Sequence, residues 1–200
     1  MVNSKVKGDR FERSVCRALS TCATGVDYAT APLSSLPLRR RSTSIMPIEG
    51  HWEGEGDILH RPGVLWPFVV EAKDRQEWGT LDGVFTRKKW PLWGYWDQAA
   101  GQADRFSRRA GRAHAPMLIV KRVRFPAIVV MGVVPVGRLW LHRYAATCQT
   151  VMVARGERGI VMAPLSGVVR AGVGFVRDAV ESLGWAVERA GVGGAVGVTL

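Results

Sequence analysis

Residues 68–73, FVVEAK, set the tightest limit on how this chain folds. In an extended strand successive side chains alternate between faces. Phe68, Val70 and Ala72 then point one way, into a core, and Glu71 and Lys73 share the other face. A second extended run, EGDILH at residues 55–60, precedes it, and RPGVLWP with turn-forming Pro62-Gly63 lies between. A hairpin pivoting near Val64 places Asp57 opposite Glu71. A pivot at Pro62-Gly63 separates the two acids by a few residues.

The rest of the chain supplies helices and further strands around this pair. Residues 8–20 read as a helix with Phe11, Val15, Ala18 and Leu19 on one face and Glu12 at the stripe's edge. Residues 30–50 are rich in Pro, Ser and Arg and read as a loop or irregular strand. A Trp-rich insertion fills residues 74–97. A helix over about 92–112 has an apolar stripe of Trp96, Ala99, Ala103, Phe106 and Ala110. Gln98, Gln102, Arg105, Arg109 and Arg112 line a separate face. Residues 116–122 form a buried strand, with strand-like runs at 126–134, 138–144, 150–154 and 158–163. A last helix over about 172–190 buries Val173, Val176, Val180, Leu183 and Val187. The Gly-rich end of the sequence carries no assignable element, and no internal repeat is present.

Charge narrows the range of partners. The 200 residues hold 28 Lys and Arg against 17 Asp and Glu, a net charge of +11, and 22 of the bases are Arg. Arginine's planar fork matches phosphate oxygens in pairs, so a polyanion, most often nucleic acid, is the expected partner. A merely soluble basic protein is the plainer alternative. The 47% hydrophobic content excludes a wholly disordered chain. Three Cys without a CxxC exclude a disulfide scaffold or zinc knuckle and suit a reducing cytoplasm. The charged start, MVNSKVKGDR, does not read as a signal peptide. The apolar run at 127–134 is too short to span a bilayer. The expectation is a cytoplasmic protein.

Asp57, Glu71 and Lys73 carry the candidate chemistry. Phosphodiester hydrolysis needs a hard divalent cation, which carboxylate oxygens hold best, and a deprotonated water in line with the phosphate. Lys73 is placed to stabilise that hydroxide, and Glu12 could add a carboxylate through water or a second metal. An acid-x-Lys triplet alone is weak, since roughly half of one arises by chance at this composition. An exposed salt bridge on an edge strand is the plainer reading. The position at the end of an apolar strand, behind Gly-Asp-Ile, strengthens the hydrolytic one.

The ordered motifs KGDRFERSV, GEGDI, FVVEAK, PLWGYWDQAAGQA and PMLIVKR resemble those of the PD-(D/E)XK nuclease superfamily. Within it the chain is most similar to phage and bacterial Holliday junction resolvase-like endonucleases. The resemblance covers about residues 5–132. It implies an α/β restriction-endonuclease-like αβββαβ core, a central mixed sheet flanked by helices; the strand-like runs and last helix beyond it read as a β-rich and helical C-terminal extension. The boundaries expected are 1–134 for the core and 135–200 for the extension, packed on the core. It implies Mg²⁺-dependent DNA cleavage, with Mn²⁺ as substitute, that leaves a 5′-phosphate. The helix acid of the pattern falls on Glu12, the metal-binding Asp on Asp57, the strand acid on Glu71 and the catalytic lysine on Lys73. Gln98 or Gln102 matches the second-helix glutamine. The chain has Gly-Asp in place of the namesake Pro-Asp, and departs from the resolvase pattern after about residue 135.

The expected function is therefore a metal-dependent endonuclease acting on branched DNA in phage replication, recombination or packaging. The expected protein is a homodimer without a membrane anchor. A nuclease for linear duplex DNA and a non-catalytic DNA-binding or packaging accessory protein are the alternatives. Arg39, Arg40 and Arg41 in a loop, Arg105, Arg109 and Arg112 on the helix, and Lys121 with Arg122 are candidates for holding the DNA backbone. Trp78, Trp90, Trp93 and Trp96 read as anchors for the insertion rather than stacking platforms. The four His show no ligand spacing, though His60 lies near Asp57 in sequence.

Overall fold

The computed structural model describes residues 4–41, 52–75, 90–155 and 158–185. Helix α1 (Ser4–Thr24) opens the chain, followed by strands β1 (Leu38–Arg40), β2 (Ile58–His60) and β3 (Phe68–Arg75). Helix α2 (Pro91–Ala110) crosses over to β4 (Ala115–Arg122), and β5 (Ile128–Gly132) follows. A short helix α3 (Arg138–Arg143), strands β6 (Val151–Arg155) and β7 (Arg158–Pro164), and helix α4 (Leu165–Ser182) complete it. The seven strands form one sheet in the order β1-β2-β3-β4-β5-β7-β6. Among the described strands only β3 and β4 pair in parallel, as a helical crossover requires. The run α1-β1-β2-β3-α2-β4 is the expected αβββαβ core in a mixed sheet, flanked by helices.

Register decides where the acids go. Ile58 pairs with Val70, so the hairpin is centred on Val64, the first of the two pivots considered above. β3 lies inside the sheet between β2 and β4, which removes the edge-strand reading of Glu71 and Lys73.

Each face of the sheet buries its own core. On one, Phe11, Val15 and Leu19 of α1 and Phe175, Val176 and Ala179 of α4 meet Phe68, Val70, Ala72, Met117 and Ile119. On the other, Trp90, Trp93, Trp96 and Ala99 cover Leu118, Val120, Val130 and Ile160. Val69 packs with Ala103 and Phe106. The three tryptophans are buried anchors, as the sequence suggests, and Trp78 lies outside the described residues. Helix α2 begins with Pro at its first turn and stops at Gly111, whose φ of +67° suits a glycine cap.

Three expectations need correction. Residues 138–144 form a helix, not a strand. Val136, Trp140 and Tyr144 recur every four residues and face the core, a helical period masked by Leu139 and Leu141. The last helix starts at Leu165 and ends at Ser182, and a break at Gly172 (φ +58°) leaves Val173 exposed rather than buried. Ala110 is exposed at the end of α2; Val187 lies outside the described residues. Strands β6 and β7 extend the same sheet through β5, and α4 packs beside α1. Among the described residues no helix is long and apolar enough to cross a membrane.

Phe175 joins these layers. It is fully buried, stacks on Phe68 at 5.6 Å and meets the Trp140 and Tyr144 rings edge-on. Replacing it by Ala is expected to cost about 3–5 kcal/mol, read as a lower urea midpoint with an unchanged denaturant slope.

Candidate active site

Among the described residues Glu71 is the most buried acid, 1% exposed on the sheet face that α2 covers. Two groups meet its Oε1: Lys73 Nζ, from two residues along the same strand, and Gln98 Nε2 of α2 at 2.6 Å. Its Oε2 is buried without a hydrogen-bond partner. A buried carboxylate oxygen without a donor is costly, and it fits a cation ligand better than a structural acid. The structure thus distinguishes the two glutamines. Gln98 touches Glu71, whereas Gln102 Oε1 has no partner and lies against Gly56.

Asp57 is fixed by backbone on both sides. Its N–H donates to the Val70 carbonyl at 2.8 Å, and its own carbonyl accepts from Arg41 N–H at 2.8 Å. Its carboxylate Oδ2 accepts the Ala72 N–H at 2.8 Å, between Glu71 and Lys73 in sequence. The acid therefore substitutes for a strand carbonyl in the ladder, which holds it beside Glu71. Burial pushes Asp57 above the usual carboxylate range, and the Glu71 charge adds to this; the Ala72 N–H and Lys73 act against it.

The turn into Asp57 depends on Gly56. Its φ is +83°, and a Cβ there would collide with the Val70 carbonyl. Gly56→Ala is expected to lower stability and displace Asp57. A fall in melting temperature together with weaker divalent-cation binding would show both effects.

Glu12 reaches the cluster from α1. Its carboxylate pairs with Arg40 of β1 at 3.6 Å, and Arg40 also bridges to Asp9. Burial pushes Glu12 up to about 6, the Asp57 charge pushes the same way, and Arg40 opposes both. That coupling places Glu12 in the field of the Asp57 and Lys73 charges. Asp9 was not singled out from sequence. It stands three residues before Glu12, on the same helix face, which is the spacing that would have found it.

Among the described residues no three His, Cys, Asp or Glu form a ready-made metal cage. Asp57 and Glu71, brought side by side by the β2–β3 register, are the carboxylates that could hold a cation, and Glu12 is coupled to Asp57 by charge.

The candidate DNA contacts divide into groups. Arg105 and Arg109 pair with Glu55, and Arg112 with Glu53. Arg39 lies over the Trp52 ring, and Arg41 donates to the Gly54 carbonyl. Lys121 lies over Phe11 and joins Lys7, Arg10 and Asp74 around a cavity of about 320 Å³. Arg122 covers Phe125. The acids Glu53 and Glu55, which tether the helix arginines, went unnoticed in the sequence because nothing local links them to residues some 50 positions later. His60 is buried with its Nδ1 on the Arg61 carbonyl.

A mixed sheet that sets Asp57, just ahead of β2, beside a buried Glu71 and Lys73 within β3 has the arrangement expected of a PD-(D/E)XK core. The sequence model of the family described as "Phage putative PDDEXK endonuclease" matches residues 3–159. The chain belongs to that family. No curated protein and no solved structure matches it significantly.

A carboxyl whose folded pKa exceeds its unfolded value favours the fold below the unfolded value and loses that contribution as pH rises through the folded one. For Glu12 this window runs from about 4.5 to about 6. In chelator-containing buffer Glu12→Gln is expected to melt above the parent at pH 7–8 (roughly one to two units past that window) and level with it at about pH 4. A pH series of thermal melts checks this.

Proposed function

We propose that this chain is a divalent-metal-dependent DNA endonuclease that cuts branched DNA as a homodimer. The observation that carries the reading is the buried Glu71 carboxylate, bonded by Lys73 and Gln98 on one oxygen and left open on the other, with Asp57 pinned alongside.

The donors suit Mg²⁺, with Mn²⁺ as substitute. Mg²⁺ is held through one or two carboxylates and otherwise keeps water and substrate phosphate, so the lack of a three-acid cage does not count against it. Asp57 and Glu71 would hold the ion, with Glu12 acting through water. When bound, it would neutralise charge on the phosphate and acidify a water. Lys73 orients the attacking water and stabilises negative charge on it. Gln98 holds one oxygen of the Glu71 carboxylate and leaves the second unbonded. Asp57 cannot swing away, because the Ala72 N–H holds it. Arg105, Arg109, Arg112, Arg39, Arg40, Arg41, Lys121 and Arg122 supply the cations for the DNA backbone. Symmetric cutting of a four-way junction calls for two sites related by a twofold axis, which is why a dimer belongs to the reading.

The test is cleavage of a four-way junction, a flap and a plain duplex side by side with Mg²⁺. The junction should be cut best, Asp57→Ala should abolish cutting, and Lys73→Ala should lower kcat by about 10²–10³-fold. Calorimetry should show Mg²⁺ or Mn²⁺ binding that Glu71→Ala removes. Preference for plain duplex, with sedimentation as a monomer, would replace the branched substrate by a linear one. DNA binding with steep salt dependence but no cutting under any divalent metal would make the protein a non-catalytic accessory.

A further inference from the structure

Beyond the acidic site, the same sheet face carries a second cavity, of about 440 Å³, at the far end of α2. Its lining includes Trp52 and Phe106 as aromatic surfaces, Arg109 and Arg112 as cations, and Glu53. The Trp52 ring is held from elsewhere by Arg39, whose guanidinium lies 4.3 Å from its centroid. Arg61 approaches the same ring at 5.5 Å. Arg109 stands 5.2 Å from the Phe106 ring. Arg112 pairs with Glu53 at 3.8 Å across an exposed contact. Eleven residues of helix separate Gln98 from Arg109, about 16 Å at 1.5 Å each.

We propose that this cavity is a pocket for one unpaired nucleobase of the DNA, a few nucleotides from the bond cut at Glu71. The proposal rests on the nuclease reading above and adds to it the feature that selects branched or single-stranded DNA. An indole that arginine already holds in place offers a base a preordered stacking surface. Arg109 and Arg112 supply positive charge for the flanking phosphates. Glu53 can accept from a base's exocyclic amine or ring N–H, and its weak ion pair with Arg112 costs little to exchange. A paired base cannot enter, because its face is covered by its neighbours in the stack and its edge by its partner. The pocket therefore discriminates by pairing, not by sequence, since every base has a π face.

The experiment uses the full chain without divalent metal, so that binding is read apart from cleavage. The probes are a flap carrying 2-aminopurine in its unpaired arm, a matching duplex carrying it in a paired position, and a short oligothymidylate. The expected result is quenching of 2-aminopurine in the flap on binding. In Trp52→Ala the quenching should go, and affinity for flap and oligothymidylate should fall about tenfold more than affinity for duplex. Trp52→Phe should restore most of the difference. Should Trp52→Ala fail to fold by circular dichroism, Trp52→Phe and Glu53→Gln carry the test: retained quenching in the first, and in the second a loss of affinity for flap and oligothymidylate that exceeds the loss for duplex, support the pocket. Equal losses on flap and duplex, or quenching unchanged in Trp52→Ala, overturn it. Cleavage assays with Mg²⁺ on the same samples separate the two readings. Quenching without cutting removes the nuclease and leaves the pocket, while cutting with no Trp52 dependence of quenching removes the pocket alone.

Discussion

One buried carboxylate governs this architecture. A Glu on an interior strand must find donors or a cation, because an unpaired charge under a helix is too costly to keep. Glu71 meets that demand through Lys73 on its own strand and Gln98 on the crossover helix. The pairing ties β3 to α2 at the point where the sheet would otherwise need an apolar contact. It also leaves Oε2 without a partner, so the same bond that secures the helix keeps one oxygen in reserve. The two oxygens of one side chain therefore stand in different surroundings.

Asp57 depends on the strand ladder in a similar way. A tight approach at Gly56 lets the chain run beside Val70, so that the Asp57 amide and carboxylate both find partners on β3. A bulkier residue at Gly56 would push the chain off the strand. Glu12 is held less firmly, at the rim, by an arginine from the edge strand β1. The three acids thus differ in rigidity, from a carboxylate locked in the interior to one balanced between Arg40 and the repulsion of Asp57.

Much of this was legible in the chain. The alternation in FVVEAK separates the core face from the charged face, and the structure keeps that separation. The distance between GDI and VVE, with a pivot at Val64, gives the observed register. The stripe of α1 and the Trp-anchored α2 follow from helical period alone. What sequence could not resolve was contact between remote segments. Gln98 and Gln102 stand four apart on one helix face, and only the axial position of α2 along β3 decides which meets Glu71. Residues 138–144 fail for another reason: their apolar content fits a period of two as well as one of four, and burial of Trp140 against Phe175 settles it. Glu53 and Glu55 escaped because their partners are long-range in sequence.

Those two acids alter how the positive charge should be understood. A chain of +11 suggests a bare cationic surface, yet Arg105 and Arg109 of α2 share Glu55, and Arg112, just past the helix, pairs with Glu53. Exposed pairs of this kind are worth about 0–1 kcal/mol and weaken with salt, so they do not lock the guanidiniums away. They do set a threshold. A phosphate must displace a carboxylate to gain the forked contact, and the displaced Glu53 or Glu55 then repels any phosphate that lies badly. Random backbone contact gains little under that arrangement, whereas a DNA shape that presents phosphates to several arginines at once, with its geometry fitting around the acids, gains on each. On the proposed function, a basic face interleaved with carboxylates would favour DNA shape in a way that a uniformly positive one would not.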